Sequence, residues 1–231
     1  MSGLTRVAAC VGALSWILLA RPAAANDASQ ATRLVELLEL KPGMTVADIG
    51  AGRGDMTVLM ARRVGQGSRI YSTDINDERL AEIRAAISRE RLDNVAVVKG
   101  AGLATNLPEA SCDAIFIRDV YHHFPDPGSM NRSLFASLKA GGRLAIIDFV
   151  PDPGSELPKG APATRGGHGV RPEQVIEEVT AAGFARATTI DDWDDGMFLV
   201  LFRKRKPSVG AEPHNNQMQR TRPAQASEPR R

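Results

Sequence analysis

Cysteine is nearly absent from this chain, which has only Cys10 and Cys112 among its 231 residues. Cys10 lies in an N-terminal segment that we expect to be removed, so the mature chain would keep one thiol. A single thiol forms no intramolecular disulfide and no thiolate metal site. The sequence therefore excludes a disulfide framework, and a lone cysteine is compatible with either a reducing or an oxidising compartment.

The chain also lacks an apolar run long enough to cross a membrane. The N-terminal run, residues 7–20, has 14 residues, whereas a membrane-spanning helix needs about 20. Arg6 precedes it and three alanines end the segment, which is typical of a secretory signal peptide. We predict a signal peptide over residues 1–25, cleavage before Asn26, export to the periplasm or the extracellular space, and no stable membrane insertion afterwards. An uncleaved anchor or a misassigned start is the alternative to cleavage, and the cytoplasm is the alternative location. N-terminal sequencing of the native protein tests this, since a start at Asn26 means export.

An excess of charge of one sign is missing too, since the formal net charge is +2. Two basic residues precede residue 26, and four basic and two acidic residues follow residue 206, so residues 26–206 carry 23 basic and 25 acidic side chains. A mildly acidic domain lacks the basic face of nonspecific nucleic-acid binders, so we predict no nucleic-acid partner. Residues 207–231 are rich in Pro, Gln, Asn and Arg without periodicity, which predicts a disordered tail.

Between these ends, strand and helix patterns alternate. Alternation of this kind indicates a parallel sheet with helices on both faces, and two closing strands joined by a short Asp-rich connection indicate an antiparallel edge hairpin. We therefore predict an α/β fold, a doubly wound, seven-stranded, mostly parallel sheet in one domain over residues 26–206. The predicted strands are residues 44–49, 69–73, 95–98, 114–117, 143–149, 185–190 and 197–202, and the predicted helices are residues 28–40, 56–64, 77–89, 129–138 and 172–182.

A short glycine motif joins the first predicted strand to the helix after it. Asp48 ends the strand, and Gly50, Gly52 and Gly54 follow at alternate positions. Glycines there let the backbone turn tightly and approach a ligand at a helix N-terminus. A dinucleotide fingerprint places its third glycine one residue later, which argues against a nicotinamide dehydrogenase. The motif instead resembles the nucleoside-binding motif of class I S-adenosylmethionine-dependent methyltransferases.

Two later segments, residues 118–127 and 138–144, are similar to signatures of the small-molecule members of that family. The resemblance covers about residues 31–203 and implies a Rossmann-like methyltransferase fold with S-adenosylmethionine as cofactor. In this family an acid after the second strand bonds both ribose hydroxyls, and Asp74 occupies that position. By this resemblance, the cofactor-binding residues are Asp48, Gly50, Ala51, Gly52, Gly54, Asp74, Ile75, Gly102, Leu103 and Asp119.

The sequence departs from the family after the third predicted strand. The family usually has an acid there that bonds the adenine amino group, but residues 100–103 contain none. Adenine would then be recognised by backbone groups or by Asn106. The small number of cysteines also excludes arsenite methylation, which works through several thiolates.

Methyl transfer needs mainly positioning of the nucleophile and exclusion of water, and no metal-ligand spacing is evident, so we predict no metal. His122 and His123 are adjacent, and on regular structure their side chains cannot both face one site. We expect one to pack against the sheet and the other to border the pocket. The candidate catalytic residues are Tyr121, His122, His123 and His168.

His168 lies in a Pro/Gly-rich stretch, residues 151–169, which we expect to act as a lid over a small or elongated acceptor. Asp148 is a candidate acceptor of a substrate hydrogen bond. The sequence thus predicts a methyltransferase with an unidentified small-molecule acceptor, whose acceptor atom is open. A non-catalytic nucleoside-binding module of the same fold is the alternative, since the adenine acid is missing and the cofactor is made in the cytosol. The oligomeric state is not indicated.

Overall fold

A seven-stranded sheet with helices on both faces forms the protein, and the computed structural model describes residues 23–65 and 67–206. The strands are β1 Thr45–Ile49, β2 Arg69–Asp74, β3 Val95–Lys99, β4 Cys112–Arg118, β5 Leu138–Phe149, β6 Ala185–Asp194 and β7 Met197–Arg203. The helices are α1 Ala23–Leu37, α2 Asp55–Val64, α3 Asp77–Glu90, α4 Pro127–Ser137 and α5 Pro172–Ala181, with short 3-10 turns at Tyr121–His123 and Ala163–Arg165.

The strand order is β3-β2-β1-β4-β5-β7-β6. The first five strands of this order are parallel, and β7 runs antiparallel to both β5 and β6. The predicted doubly wound sheet with a C-terminal antiparallel hairpin is therefore confirmed.

Central strands are apolar on both faces because helices cover both sides of the sheet. In β4, Ala114 and Phe116 belong to one core and Ile115 and Ile117 to the other, and all are fully buried. Helices α1 and α2 close the first core, and α4 and α5 close the second. Successive side chains of a strand point to opposite faces, so one strand serves both cores.

The start of β5 differs from the prediction. The predicted helix was to end at glycines 141 and 142, but α4 ends at Ser137 and the chain enters β5 directly. Cys112 pairs with Leu138 and Ala114 pairs with Arg143, so the intervening residues bulge out of the strand pair. A Cβ on Gly142 would lie 2.9 Å from the Lys139 carbonyl oxygen. The glycine shapes a bulge, which helical periodicity does not reveal.

Two predictions concern the ends of the chain. The predicted tail and residues 1–22 of the predicted signal peptide lie outside the described residues. Helix α1 begins at Ala23 and runs through the predicted cleavage point before Asn26. None of the helices in the described ranges combines the length and the apolar character that a membrane crossing requires.

Candidate functional site

The strand order reverses between β1 and β4, and doubly wound sheets bind ligands in the crevice at such a point. Two cavities lie there, of about 320 Å³ and about 300 Å³, and they share Gly50 and Val120. The first cavity is lined by Ile49, Gly50, Thr73, Asp74, Ile75, Gly100, Ala101, Gly102, Ala104, Thr105, Val120, His123, Phe124, Pro125, Met130 and Lys159. The second is lined by Asp48, Gly50, Ala51, Gly52, Arg53, Asp55, Met56, Arg79, Arg118, Asp119 and Val120.

The glycine motif meets both cavities at Gly50, which lines each of them. Gly50 and Gly52 have φ angles of 72° and 56°, a left-handed conformation that favours glycine. A Cβ on Gly50 would lie 2.6 Å from Val120 Cγ1, whereas a Cβ on Gly52 would meet nothing within 4 Å. Gly50 thus allows close packing, and Gly52 leaves its backbone open to a ligand. Gly54 caps α2 against Ile83 and lines neither cavity.

Asp74 holds its carboxylate at the rim of the first cavity. The Gly52 N–H donates to Oδ2 at 3.0 Å, and the Asn76 N–H donates to Oδ1 at 2.9 Å. Each carboxylate oxygen has two lone pairs, so both keep one for a ligand hydroxyl. The position after β2 therefore suits an acceptor for two neighbouring hydroxyl groups.

Some of the other residues predicted for the cofactor site line the first cavity, and others do not. Ile75 and Gly102, both predicted to bind the cofactor, line it, whereas Leu103 is 52% exposed and lines neither cavity. Asn106 also lies outside both cavities, and its side-chain amide donates to the Lys99 carbonyl at 3.0 Å. Of the two predicted ways to recognise adenine, the structure thus places only backbone at the cavity.

Asp48 is buried at the floor of the second cavity. It accepts a hydrogen bond from Thr57 Oγ1 at 2.6 Å, and that hydroxyl also lies 2.8 Å from Ser72 Oγ. Burial raises the pKa of Asp48 to about 7, although the Thr57 hydrogen bond and the Arg118 charge act in the opposite direction. A cationic group in the second cavity would favour the ionised form.

This raised pKa gives stability a pH dependence. An unfolded Asp has a pKa near 3.9, so between there and pH 7 the folded chain binds a proton that the unfolded chain does not. Asp48 therefore favours folding at low pH, and that contribution is lost as pH rises through about 7. Relative to Asp48→Asn, the wild type should lose about 1–3 kcal/mol between pH 5 and pH 8. Urea unfolding of both proteins measures this, and parallel pH profiles would contradict it.

The second cavity also presents charged side chains of both signs. Arg118 donates to Asp27 Oδ1 of α1 at 2.7 Å. Asp119, predicted as cofactor-binding, has a φ of 59° and a pKa raised by partial loss of hydration. Sequence reasoning missed the three arginines of this cavity: Arg53, Arg79 and Arg118. Arg53 lies within the predicted glycine motif, Arg79 in the predicted helix over residues 77–89, and Arg118 directly after the predicted strand over residues 114–117. These positions were the signal from which the three arginines could have been found.

Tyr121 lies in the core rather than in either cavity. Its hydroxyl donates to Glu178 Oε2 at 2.9 Å and accepts from Asn131 Nδ2 at 2.8 Å. Burial and the Glu178 charge raise the pKa of Tyr121, so the phenol stays protonated. Tyr121, a candidate catalytic residue from the sequence, therefore lines neither cavity, and its contacts tie the 3-10 turn to α5.

His122 and His123 divide as expected, but they also face each other. His122 is fully buried, with Nδ1 2.8 Å from Asp148 Oδ1, while His123 lines the first cavity. The ring centroids lie 4.1 Å apart. Adjacent rings can make this contact because the segment is a 3-10 turn rather than regular structure. Burial and the neighbouring histidines lower the pKa of His123.

The loop after β5 brings His168 to the same place. His168 is exposed, and its ring centroid lies 4.8 Å from that of His122. Lys159 of the loop lines the first cavity, which sequence reasoning missed. Asp148 is fully buried, and its oxygens accept from His122 and from the Phe149 backbone. It therefore supports His122 rather than facing a substrate directly.

Known proteins are similar to this chain over most of the described residues. A family described as a methyltransferase domain matches residues 40–186. The ubiquinone/menaquinone biosynthesis C-methyltransferase UbiE of Enterobacter sp. (strain 638) is 33% identical over 116 residues, which cover 48% of this chain and 44% of that protein. The protein of the same name from Salmonella arizonae is 32% identical over 116 residues, with the same coverage of both chains. The chain thus spans less than half the length of these curated relatives.

Solved structures share the fold. A SAM-dependent methyltransferase from Aquifex aeolicus has a TM-score of 0.63 at 26% identity, covering 75% of this chain and 89% of that one. Geranyl diphosphate C-methyltransferase from Streptomyces coelicolor A3(2), in complex with Mg²⁺, geranyl diphosphate and S-adenosyl-L-homocysteine, has a TM-score of 0.62 at 17% identity. The match covers 77% of this chain and 80% of the Streptomyces chain.

Proposed function

This chain belongs to the family of methyltransferase domains, whose match spans residues 40–186, and from that premise we propose that it is an active methyltransferase. The protein binds S-adenosylmethionine across the two cavities and transfers its methyl group to a small organic acceptor. The observation that carries this proposal is the pair of cavities joined at Gly50 and Val120, with Asp74 at the rim of one and Asp48 in the other.

The residues present fit this cofactor. Asp74 keeps one lone pair on each oxygen for two ribose hydroxyls, and the first cavity beside it is largely lined by apolar side chains and backbone, which suits a flat base. The second cavity holds carboxylates and guanidinium groups, which suit an ammonium and a carboxylate. When bound, the cofactor supplies a methyl group on an electrophilic sulfonium.

The acceptor side lies where the first cavity meets the 3-10 turn. His123 and Phe124 line the cavity there, and Lys159 reaches it from the loop after β5. These side chains would position the acceptor and exclude water, which is most of what an in-line displacement needs. The UbiE relatives are named as C-methyltransferases of ubiquinone and menaquinone biosynthesis, which supports a small-molecule acceptor. We propose a small-molecule acceptor without assigning its acceptor atom.

Calorimetry with S-adenosylmethionine and S-adenosylhomocysteine tests the cofactor, and transfer of a labelled methyl group to a panel of small acceptors tests the activity. Both compounds are expected to bind with one site per chain. Failure of both to bind would overturn the proposal. Binding of both without transfer to any acceptor would favour a non-catalytic module instead.

A glycine pair gives this experiment a matched control. Gly50→Ala should weaken S-adenosylhomocysteine binding about 10-fold, because its Cβ would lie 2.6 Å from Val120 and force that side chain, which lines both cavities, to move. Gly43→Ala has a similar φ, 88° against 72°, but its Cβ meets nothing within 4 Å. Gly43→Ala should therefore bind like the wild type at 25 °C, and equal losses in the two variants would contradict the assignment.

A further inference from the structure

Three imidazole rings converge beside the first cavity. They belong to His122 and His123 of the 3-10 turn after β4 and to His168 of the loop after β5. The ring centroids of His122 and His168 lie 4.8 Å apart, and those of His123 and His168 lie 5.7 Å apart. One ring nitrogen from each lies within 4.8 Å of the other two. Ring nitrogens at this separation are close enough to share one metal ion.

His122 is held in the form that binds a metal. Its Nδ1 lies 2.8 Å from Asp148 Oδ1, and the backbone N–H groups of His122 and Phe149 donate to the same carboxylate. An ionised carboxylate only accepts hydrogen bonds, so Nδ1 carries the hydrogen and the lone pair of the neutral ring lies on Nε2. Nε2 is buried without a hydrogen-bond partner. Buried polar atoms normally have a partner, and metal-binding histidines are usually oriented by a carboxylate in this way.

The geometry points to a divalent metal site formed by His122 Nε2, His123 and His168. Zinc suits three neutral imidazoles. Nitrogens bound at 2.0–2.1 Å in tetrahedral geometry lie roughly 3.4 Å apart, so rings with nitrogens within 4.8 Å need only small movements. His123 and His168 are exposed and free to make them, while His122 stays fixed. A metal ion here would differ from the metal-free site expected from the sequence.

His123 also lines the first cavity, so an ion held by the three histidines would lie beside that cavity, with a fourth ligand position available to a molecule bound there. Three protein ligands with one open position characterise catalytic zinc rather than structural zinc. The role of this position in the reaction rests on the proposed function. There it selects an acceptor with a hydroxyl group. The ion binds the hydroxyl oxygen and lowers its pKa, the proton passes to water, and the resulting anion is a stronger nucleophile.

Metal binding is measured directly, without the cofactor. Full-length, tag-free protein is stripped with EDTA and titrated with Zn²⁺ against a chromogenic chelator. One ion per chain should bind, and His123→Ala and His168→Ala should each weaken it on the order of 10- to 100-fold. His214→Ala removes the remaining histidine of the chain and should bind like the wild type. Thermal melts of the apo variants check folding, and Co²⁺ in the site should show the visible bands of tetrahedral cobalt.

Equal affinity of wild type, His123→Ala and His168→Ala would mean an adventitious ion and overturn the inference, as would a lack of binding. The two proposals fail separately. If S-adenosylhomocysteine binds and zinc does not, only the metal site is wrong. If zinc binds at these histidines and neither cofactor compound binds, the metal site stands and the proposed methyl transfer falls.

Discussion

Glu178→Ala is expected to lower the free energy of unfolding by about 3–5 kcal/mol. Arg165 donates to Glu178 at 2.7 and 2.9 Å, and the Arg165 side chain is fully buried. Removing the carboxylate leaves a buried guanidinium without its partner, which costs far more than an exposed ion pair contributes. The Tyr121 hydroxyl loses an acceptor at the same time. The loop after β5 is tied to α5 by this contact, so the loop should loosen as well.

Urea unfolding at neutral pH measures the effect, and Glu177→Ala is the matched control. Glu177 is the preceding residue of α5 and is exposed, so its replacement should change stability by about 0.5 kcal/mol or less. A loss for Glu178→Ala no larger than this control would show that Arg165 finds water or another partner. Proteolysis of the loop should also be faster in Glu178→Ala than in Glu177→Ala.

Asp74→Ala is expected to weaken S-adenosylhomocysteine binding about 100-fold, which corresponds to two lost hydrogen bonds to a charged group. Both carboxylate oxygens keep a free lone pair at the rim of the first cavity. The alanine variant removes both acceptors, while Asp74→Asn keeps one oxygen and should show an intermediate loss. Isothermal titration calorimetry measures all three proteins.

Asp77→Ala controls for the loss of one surface carboxylate from the same region. Asp77 pairs only with Lys99 among the described residues and is exposed, and it lines neither cavity. Its replacement should leave the affinity unchanged. Because Asp74 also accepts from Gly52 and Asn76, each variant's melting temperature is compared. If Asp77→Ala lost as much affinity as Asp74→Ala, the assignment of Asp74 to the binding site would be contradicted.

Local patterns predicted the sheet well because strand, turn and helix signals lie within a few residues of each other. The Asp48-to-Gly54 motif is such a unit, and the structure places its turn at the switch point. The start of β5 was missed because its bulge depends on contact between Gly142 and Asp113 of the neighbouring strand. Periodicity along one segment contains no information about that contact.

The site was predicted in part for the same reason. Residues at strand ends, such as Asp74 and Asp119, line the cavities because parallel strands end at one edge. Leu103 follows its strand after a turn, and its side chain points away into solvent. His168 meets His122 only through a long loop that Arg165 ties to α5. Such a meeting follows from tertiary packing and not from spacing.

Helix α1 has a practical consequence for producing the protein. The family match starts at residue 40 and stops at residue 186, yet Leu34 of α1 is fully buried and Asp27 holds Arg118 at the second cavity. Expression boundaries copied from that match would delete the helix and β7, and β5 would become a bare edge open to aggregation. A shortened version intended for crystals or assays has to keep residues 26–39 and 187–203.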